Sequence, residues 1–136
     1  MNPTILLVED DPDTLKGLAI RLEASGLVIL QAINAVSALV LARAEQPDVI
    51  ILDLGLPDLS GYSILEQLKE LPATAGIPVI VLTARDPEGN QERSYETGAF
   101  DFFQKPVNHM WLLESIRRAV EKAVPKGINQ ASKNEV

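Results

Sequence analysis

Val49-Ile50-Ile51-Leu52-Asp53 carries four branched apolar residues into a carboxylate, and Leu54-Gly55-Leu56-Pro57 turns the chain at once. A run bounded by Pro47-Asp48 before and by Gly55 and Pro57 after reads as a strand covered on both faces, as in parallel sheets. Asp53 then stands at the carboxyl end of that strand. In open α/β sheets this is the edge where ligands and chemistry collect. Taken alone, an aspartate at a strand exit reads equally well as a turn or capping residue.

Working outward, the same pattern recurs. Thr4-Ile5-Leu6-Leu7-Val8 is a second apolar run, and Glu9, Asp10 and Asp11 follow it without a break. Asp11-Pro12 reads as an N-cap and first helical residue, because proline lacks an N–H that would have no partner there. Leu15, Leu18, Ala19 and Leu22 keep helical spacing up to Gly26. Leu27 to Ala32 makes the next strand, and Asn34 caps a helix carrying Val36, Leu39 and Val40 to about Glu45.

Beyond the strand of Asp53, Ser60-Gly61 opens a third helix with Ile64, Leu65, Leu68 and Leu71 on one face, stopped by Pro72. Ile77 to Leu82 is a fourth strand ending in Thr83-Ala84, and Asp86-Pro87 starts a fourth helix that ends before Gly98. The apolar face of that helix is thin, which predicts weak attachment. Phe100 to Phe103 forms a fifth strand leading to Gln104-Lys105-Pro106, where Pro106 is a candidate for a cis bond. Asn108 caps a last helix with Leu112, Leu113, Ile116, Val120 and Ala123 inward, and Pro125 ends it. A domain over 1–124 is expected, with 125–136 a polar, disordered tail.

Five strands alternating with five helices ask for an α/β fold, one parallel sheet wound on both faces by helices. The chain has 136 residues, no cysteine and a net charge of −7. Disulfides and zinc-thiolate sites are excluded, and the acidic balance argues against direct nucleic-acid binding. No apolar run approaches the roughly 20 residues of a membrane span, and no signal peptide is visible, so a cytoplasmic protein is expected.

If the strands are parallel, Glu9, Asp10, Asp53, Thr83 and Lys105 share one sheet edge. Like charges about 4 Å apart repel by roughly 4 kcal/mol at an effective dielectric near 20, so three acids there call for a cation. With oxygen ligands alone the choices are Mg²⁺, Mn²⁺ or Ca²⁺, and Mg²⁺ suits a site offering few protein oxygens. Asp10, Asp53 and a main-chain carbonyl near Gly55 are the candidate ligands. Compensation of the first helix dipole accounts for Asp11 and Asp13, but not for Asp53 or Lys105. A loop lysine is usually just solvated and a strand-end threonine usually bonds local backbone, so Lys105 and Thr83 gain meaning only beside the acids.

The segments Ile5 to Pro12, Pro47 to Pro57, Val79 to Ala84 and Gly98 to Pro106 together resemble the receiver domains of two-component response regulators. They occur in that family's order and cover residues 4 to about 124. The resemblance implies a (βα)5 doubly wound, flavodoxin-like sheet of order 2-1-3-4-5; the alternation of elements does not by itself fix that order. It also implies that Asp53 accepts a phosphoryl group from a sensor histidine kinase or histidine phosphotransfer protein. Asp10 matches a direct Mg²⁺ ligand, Mn²⁺ being an alternative, with Glu9 acting through water and Gly55 lending its carbonyl. Thr83 and Lys105 match the residues that contact the phosphoryl oxygens.

Phe102 occupies the position of a switching aromatic residue, often tyrosine, and lacks the hydroxyl. Simple strand packing explains at least one of Phe100 and Phe102, which share a face if both lie in the strand. Ala35 stands where glycine is frequent, a departure expected to be silent. The implied output is conformational, through the fourth helix, fifth strand and fifth helix of a stand-alone receiver to a downstream protein target.

Three rival readings stand beside this one. A haloacid-dehalogenase-type phosphatase needs a second acid two residues after the nucleophile, where Gly55 stands. Neither G-x-x-x-x-G-K-[ST] nor G-x-G-x-x-G occurs to make a nucleotide site. A receiver-shaped adaptor that binds its partner without phosphorylation is the alternative reading.

Overall fold

The computed structural model describes residues 2–122, in which strands and helices alternate. In chain order they are β1 (Thr4–Val8), α1 (Pro12–Ala24), β2 (Val28–Ala32), α2 (Ala35–Glu45), β3 (Val49–Leu52), α3 (Gly61–Glu70), β4 (Val79–Thr83), α4 (Pro87–Thr97), β5 (Asp101–Gln104) and α5 (His109–Lys122). The sheet order is β2-β1-β3-β4-β5 with every neighbouring pair parallel, as the resemblance implied. Ala123, Pro125 and the tail expected over 125–136 lie outside the described residues.

Local signals place the helix starts. Asp11, Asn34, Ser60, Asp86 and Asn108 each accept a backbone N–H from the first turn of the helix they precede. Three strands begin one or two residues later than the sequence suggests. At β4 the reason is Pro78, which has no N–H for the ladder although its carbonyl accepts from Ile50 at 3.0 Å.

Two apolar layers sandwich the sheet. Leu15, Leu18, Ala19 and Leu22 of α1 and Leu112, Ile116 and Ala119 of α5 cover one face, over Ile5, Leu7, Ile51 and Ile80. Residues of α2 and α3 cover the other, over Leu6, Val8, Ile50, Leu52 and Val81. The four residues of β3 are all buried, which is what a central strand covered on both faces requires.

The face of α2 is a correction. The expected inward residues Val36 and Val40 are 59% and 60% exposed, and the buried stripe is Ala35, Ala38 and Ala42, with Leu39 half-buried. This helix is apolar nearly all round, so periodicity cannot choose its inner face, and the small side chains let it lie close to the sheet. Val40→Ser is therefore expected to change stability by less than about 0.5 kcal/mol, while Ala42→Leu should cost about 1–3 kcal/mol by overpacking. Urea unfolding of both variants checks the contrast.

Two further details depart from the expected pattern. The helical geometry of α4 is broken at Glu88 and Gly89, where Gly89 has φ of +77°, so its regular turns start after the glycine. Only Ser94 of this helix is buried, in line with its thin apolar face. Phe100 precedes β5 and joins the α1/α5 layer with Phe103, so it does not share a face with Phe102, which is buried in the opposite layer. No helix among the described residues is long and apolar enough to cross a membrane.

Candidate functional site

Register explains the convergence. Val8 pairs with Ala32 on one side and Leu52 on the other, so the residues that follow β1 and β3 leave the sheet side by side. The Asp53 N–H bonds the Val8 carbonyl at 3.1 Å and the Lys105 N–H bonds the Thr83 carbonyl at 2.8 Å, extending the ladder one step past the strands. Side chains from β1, β3, β4 and β5 thus meet at the carboxyl edge.

Glu9, Asp10 and Asp53 each place a carboxylate oxygen within 4.8 Å of the others. Glu9 and Asp53 are buried and Asp10 is exposed, so the cluster opens to solvent on the Asp10 side. The Lys105 ammonium donates to Asp53 Oδ2 at 3.1 Å and to Glu9 Oε1. Glu9 Oε2 accepts the Asp11 N–H at 3.1 Å, and Asp53 Oδ1 accepts the Gly55 N–H at 3.2 Å. Burial pushes the Glu9 carboxyl pKa up, and the hydrogen bond from Lys105 only partly opposes it. For Lys105, burial alone would lower the ammonium pKa, but Glu9 and Asp53 more than offset that and leave it raised.

An all-oxygen cluster without histidine or cysteine fits a hard divalent cation. Gly55 is exposed, and a Cβ built on it would meet nothing within 4 Å. Thr83 is fully buried at the end of β4, with its hydroxyl accepting the Arg85 N–H at 3.3 Å. Phe102 is buried beside Val81, its register partner, one layer below the edge. The Lys105–Pro106 bond is cis.

The role of Lys105 beside the acids can be tested directly. Lys105→Met leaves buried Glu9 without its cationic partner, only the Asp11 N–H remaining, at an expected cost of about 1–2 kcal/mol in EDTA, discounted because the lysine is partly exposed. Added Mg²⁺ should then raise the urea midpoint of the variant more than that of the wild type. Equal responses would show that Lys105 does not stand in for a cation.

Nothing in the sequence marks Asp58 apart from the turn it shares with Pro57. In the structure its carboxylate accepts the N–H groups of Ala35 at 2.8 Å and Val36 at 3.2 Å, across to the start of α2. Tyr62 was likewise silent. Its hydroxyl lies 2.6 Å from Asn90 Oδ1 and the Arg93 guanidinium stacks 3.8 Å above its ring, tying α4 to α3.

A five-stranded parallel sheet of this order, with three acids and a lysine at its carboxyl edge, defines a receiver-type α/β domain. Comparison with known proteins agrees. Residues 5–117 match the response regulator receiver domain family. The chain is 38% identical over 112 residues to protein PilH of Pseudomonas aeruginosa, covering 82% of this chain and 93% of PilH. Some other curated relatives are longer: the chain spans 26% of response regulator PleD of Caulobacter vibrioides and 54% of the transcriptional regulator RpaA of Synechocystis.

Among solved structures, a CheY-like response regulator receiver domain protein from Methanospirillum hungatei superposes with a TM-score of 0.83 at 29% identity, over 90% of this chain and 97% of that one. The receiver domain of a sensor histidine kinase from Pseudomonas aeruginosa, solved with a magnesium ion coordinated in its active site cleft, gives 0.82 at 27% identity, over 90% and 100%. The chain belongs to the response regulator receiver domain family.

Proposed function

We propose that Asp53 of this receiver accepts a phosphoryl group from a phosphohistidine on a sensor histidine kinase or histidine phosphotransfer protein. The observation that carries the reading is the meeting of Glu9, Asp10, Asp53 and Lys105 at one sheet edge, with an Asp53 oxygen in the lysine's reach. In the transfer an Asp53 oxygen forms the new P–O bond, the P–N bond to the donor imidazole breaks, and a proton goes to the released nitrogen. Such a transfer needs positioning and charge neutralisation more than it needs a base.

Mg²⁺, or Mn²⁺ in its place, would be held by Asp10, Asp53 and the Gly55 carbonyl, with Glu9 acting through water, and would neutralise charge on the phosphoryl oxygens. The relative with magnesium in its cleft supports this choice. Lys105 then exchanges carboxylate contacts for a phosphoryl oxygen as a point charge. The Thr83 hydroxyl leaves the Arg85 N–H to donate to another phosphoryl oxygen, drawing the loop after β4 inward. The protein assists its own modification and is a signalling module, not a conventional enzyme. A phosphohistidine donor made from ATP puts the exchange in the cytoplasm.

The output passes through α4, β5 and α5 to a downstream protein. Support comes from the single buried residue of α4 and from Gly89, where the backbone can absorb a change between Thr83 and the regular turns. Phe102, buried beside Val81, follows that movement as a nonpolar side chain. No direct contact with nucleic acid and no membrane insertion are required. Incubation with acetyl phosphate and Mg²⁺ tests the reading. The intact mass should rise by one phosphoryl group, and hydrogen exchange should change over α4, β5 and α5; an unchanged mass would favour an adaptor that works without modification.

A further inference from the structure

We propose that Asp58 is a positioning residue for the metal site: it clamps the 54–60 loop to the start of α2 and so sets where Gly55 stands relative to Glu9, Asp10 and Asp53. The inference rests on the metal reading given under Proposed function.

The first three N–H groups of α2 have no partner within the helix. Asn34 Oδ1 takes that of Ser37 at 2.9 Å, while both Ala35 and Val36 give theirs to the Asp58 carboxylate, 23 and 22 residues away in sequence. Ala35 is fully buried, so water cannot readily replace the carboxylate there. The Ala35 N–H, with further backbone donors, holds the Asp58 carboxyl below the usual range, which keeps it ionised and accepting. The anchor is firm, because Ala35, Ala38 and Ala42 pin α2 into the core layer.

The loop has its other fastenings near Asp53. Leu54 is buried, its carbonyl accepts the Gly61 N–H at 2.9 Å, and Leu56 packs against the core. Gly55 itself has no side chain to pack, and its N–H bonds Asp53 Oδ1. Asp58 lies three residues on, joined through Pro57, whose fixed φ stiffens the link. Ser60 caps α3, the helix that follows the loop, while Asp58 is the member of the loop whose side chain hydrogen-bonds α2. Releasing it frees the far side of the turn on which a Gly55 carbonyl ligand depends.

Binding of Mn²⁺ alone, followed by loss of the free-ion electron paramagnetic resonance signal, tests this on the full chain. Asp58→Ala should weaken binding about tenfold, the scale for loss of an outer-shell partner, and Asp58→Asn, which keeps one acceptor oxygen, should restore part of it. Asn34→Ala removes a cap from the same helix without touching the loop. It should lower the urea midpoint while leaving Mn²⁺ affinity within about twofold of wild type.

A folded Asp58→Ala protein that binds Mn²⁺ as the wild type does, or Asn34→Ala weakening binding equally, would overturn the inference. Should Asp58→Ala not fold, Asp58→Asn against Asn34→Ala decides by the same criterion. Wild-type protein that takes up no Mn²⁺ would instead overturn the metal reading beneath it.

Discussion

Asp53→Asn protein is expected to gain no phosphoryl mass from acetyl phosphate and Mg²⁺ under conditions that label the wild type. An amide oxygen is a poor nucleophile toward phosphorus, and the substitution also removes one negative charge from the cation site. The fold should survive. The substituted amide keeps one oxygen that can accept from either Lys105 or the Gly55 N–H, which Asp53 meets on separate oxygens at 3.1 and 3.2 Å, and Lys105 keeps its bond to Glu9. It also relieves repulsion from Glu9 and Asp10, so the urea midpoint should stay level or rise. Full labelling of this variant would move the acceptor to another residue, and Asp10, the exposed acid of the cluster, would be the first to examine.

Gly61→Ala carries the largest expected cost in stability. A Cβ at this position would press on the Leu54 Cα and lie 2.7 Å from the Asp53 carbonyl oxygen and 3.1 Å from the Leu54 carbonyl carbon. All three are backbone atoms, and none can rotate away as a side chain would. Accommodation requires α3 to shift against β3, at about 3 kcal/mol, the upper end for overpacking. The labelling rate at Asp53 should fall with it, because the strained segment is the one that aims the acceptor.

Gly17→Ala is the control. That glycine lies inside α1 with nothing within 4 Å of a new Cβ, so alanine should stabilise by about 0.5–1 kcal/mol. A Gly61→Ala midpoint close to wild type would show that the α3–β3 approach is looser than these distances imply.

The residues differ in how far they could be read in advance. The caps Asp11, Asn34 and Asn108 and the helix starts at Ser60 and Asp86 were legible because a cap and its N–H groups lie within a few positions of each other. The buried strands were legible because continuous apolar runs ending at turn residues have few other uses. The inner face of α2 was not, since Val36 and Val40 offer as much hydrophobic surface as the alanines that were buried in their place. The break in α4 at Gly89 and the turn of Phe100 into the α1/α5 layer also escaped, each depending on a neighbouring element instead of the local pattern.

The chain alone determined which segments become strands and helices, and it marked the acids and the lysine as strand-end residues, because those signals act over a few positions. Only the tertiary structure decided who meets whom. Lys105 reaches Glu9 across 96 residues and Asp53 across 52, and Asp58 caps a helix that begins 23 residues earlier. Such pairings follow from strand order, register and the close packing of α2 and α3, which are collective outcomes of burying the whole sheet at once.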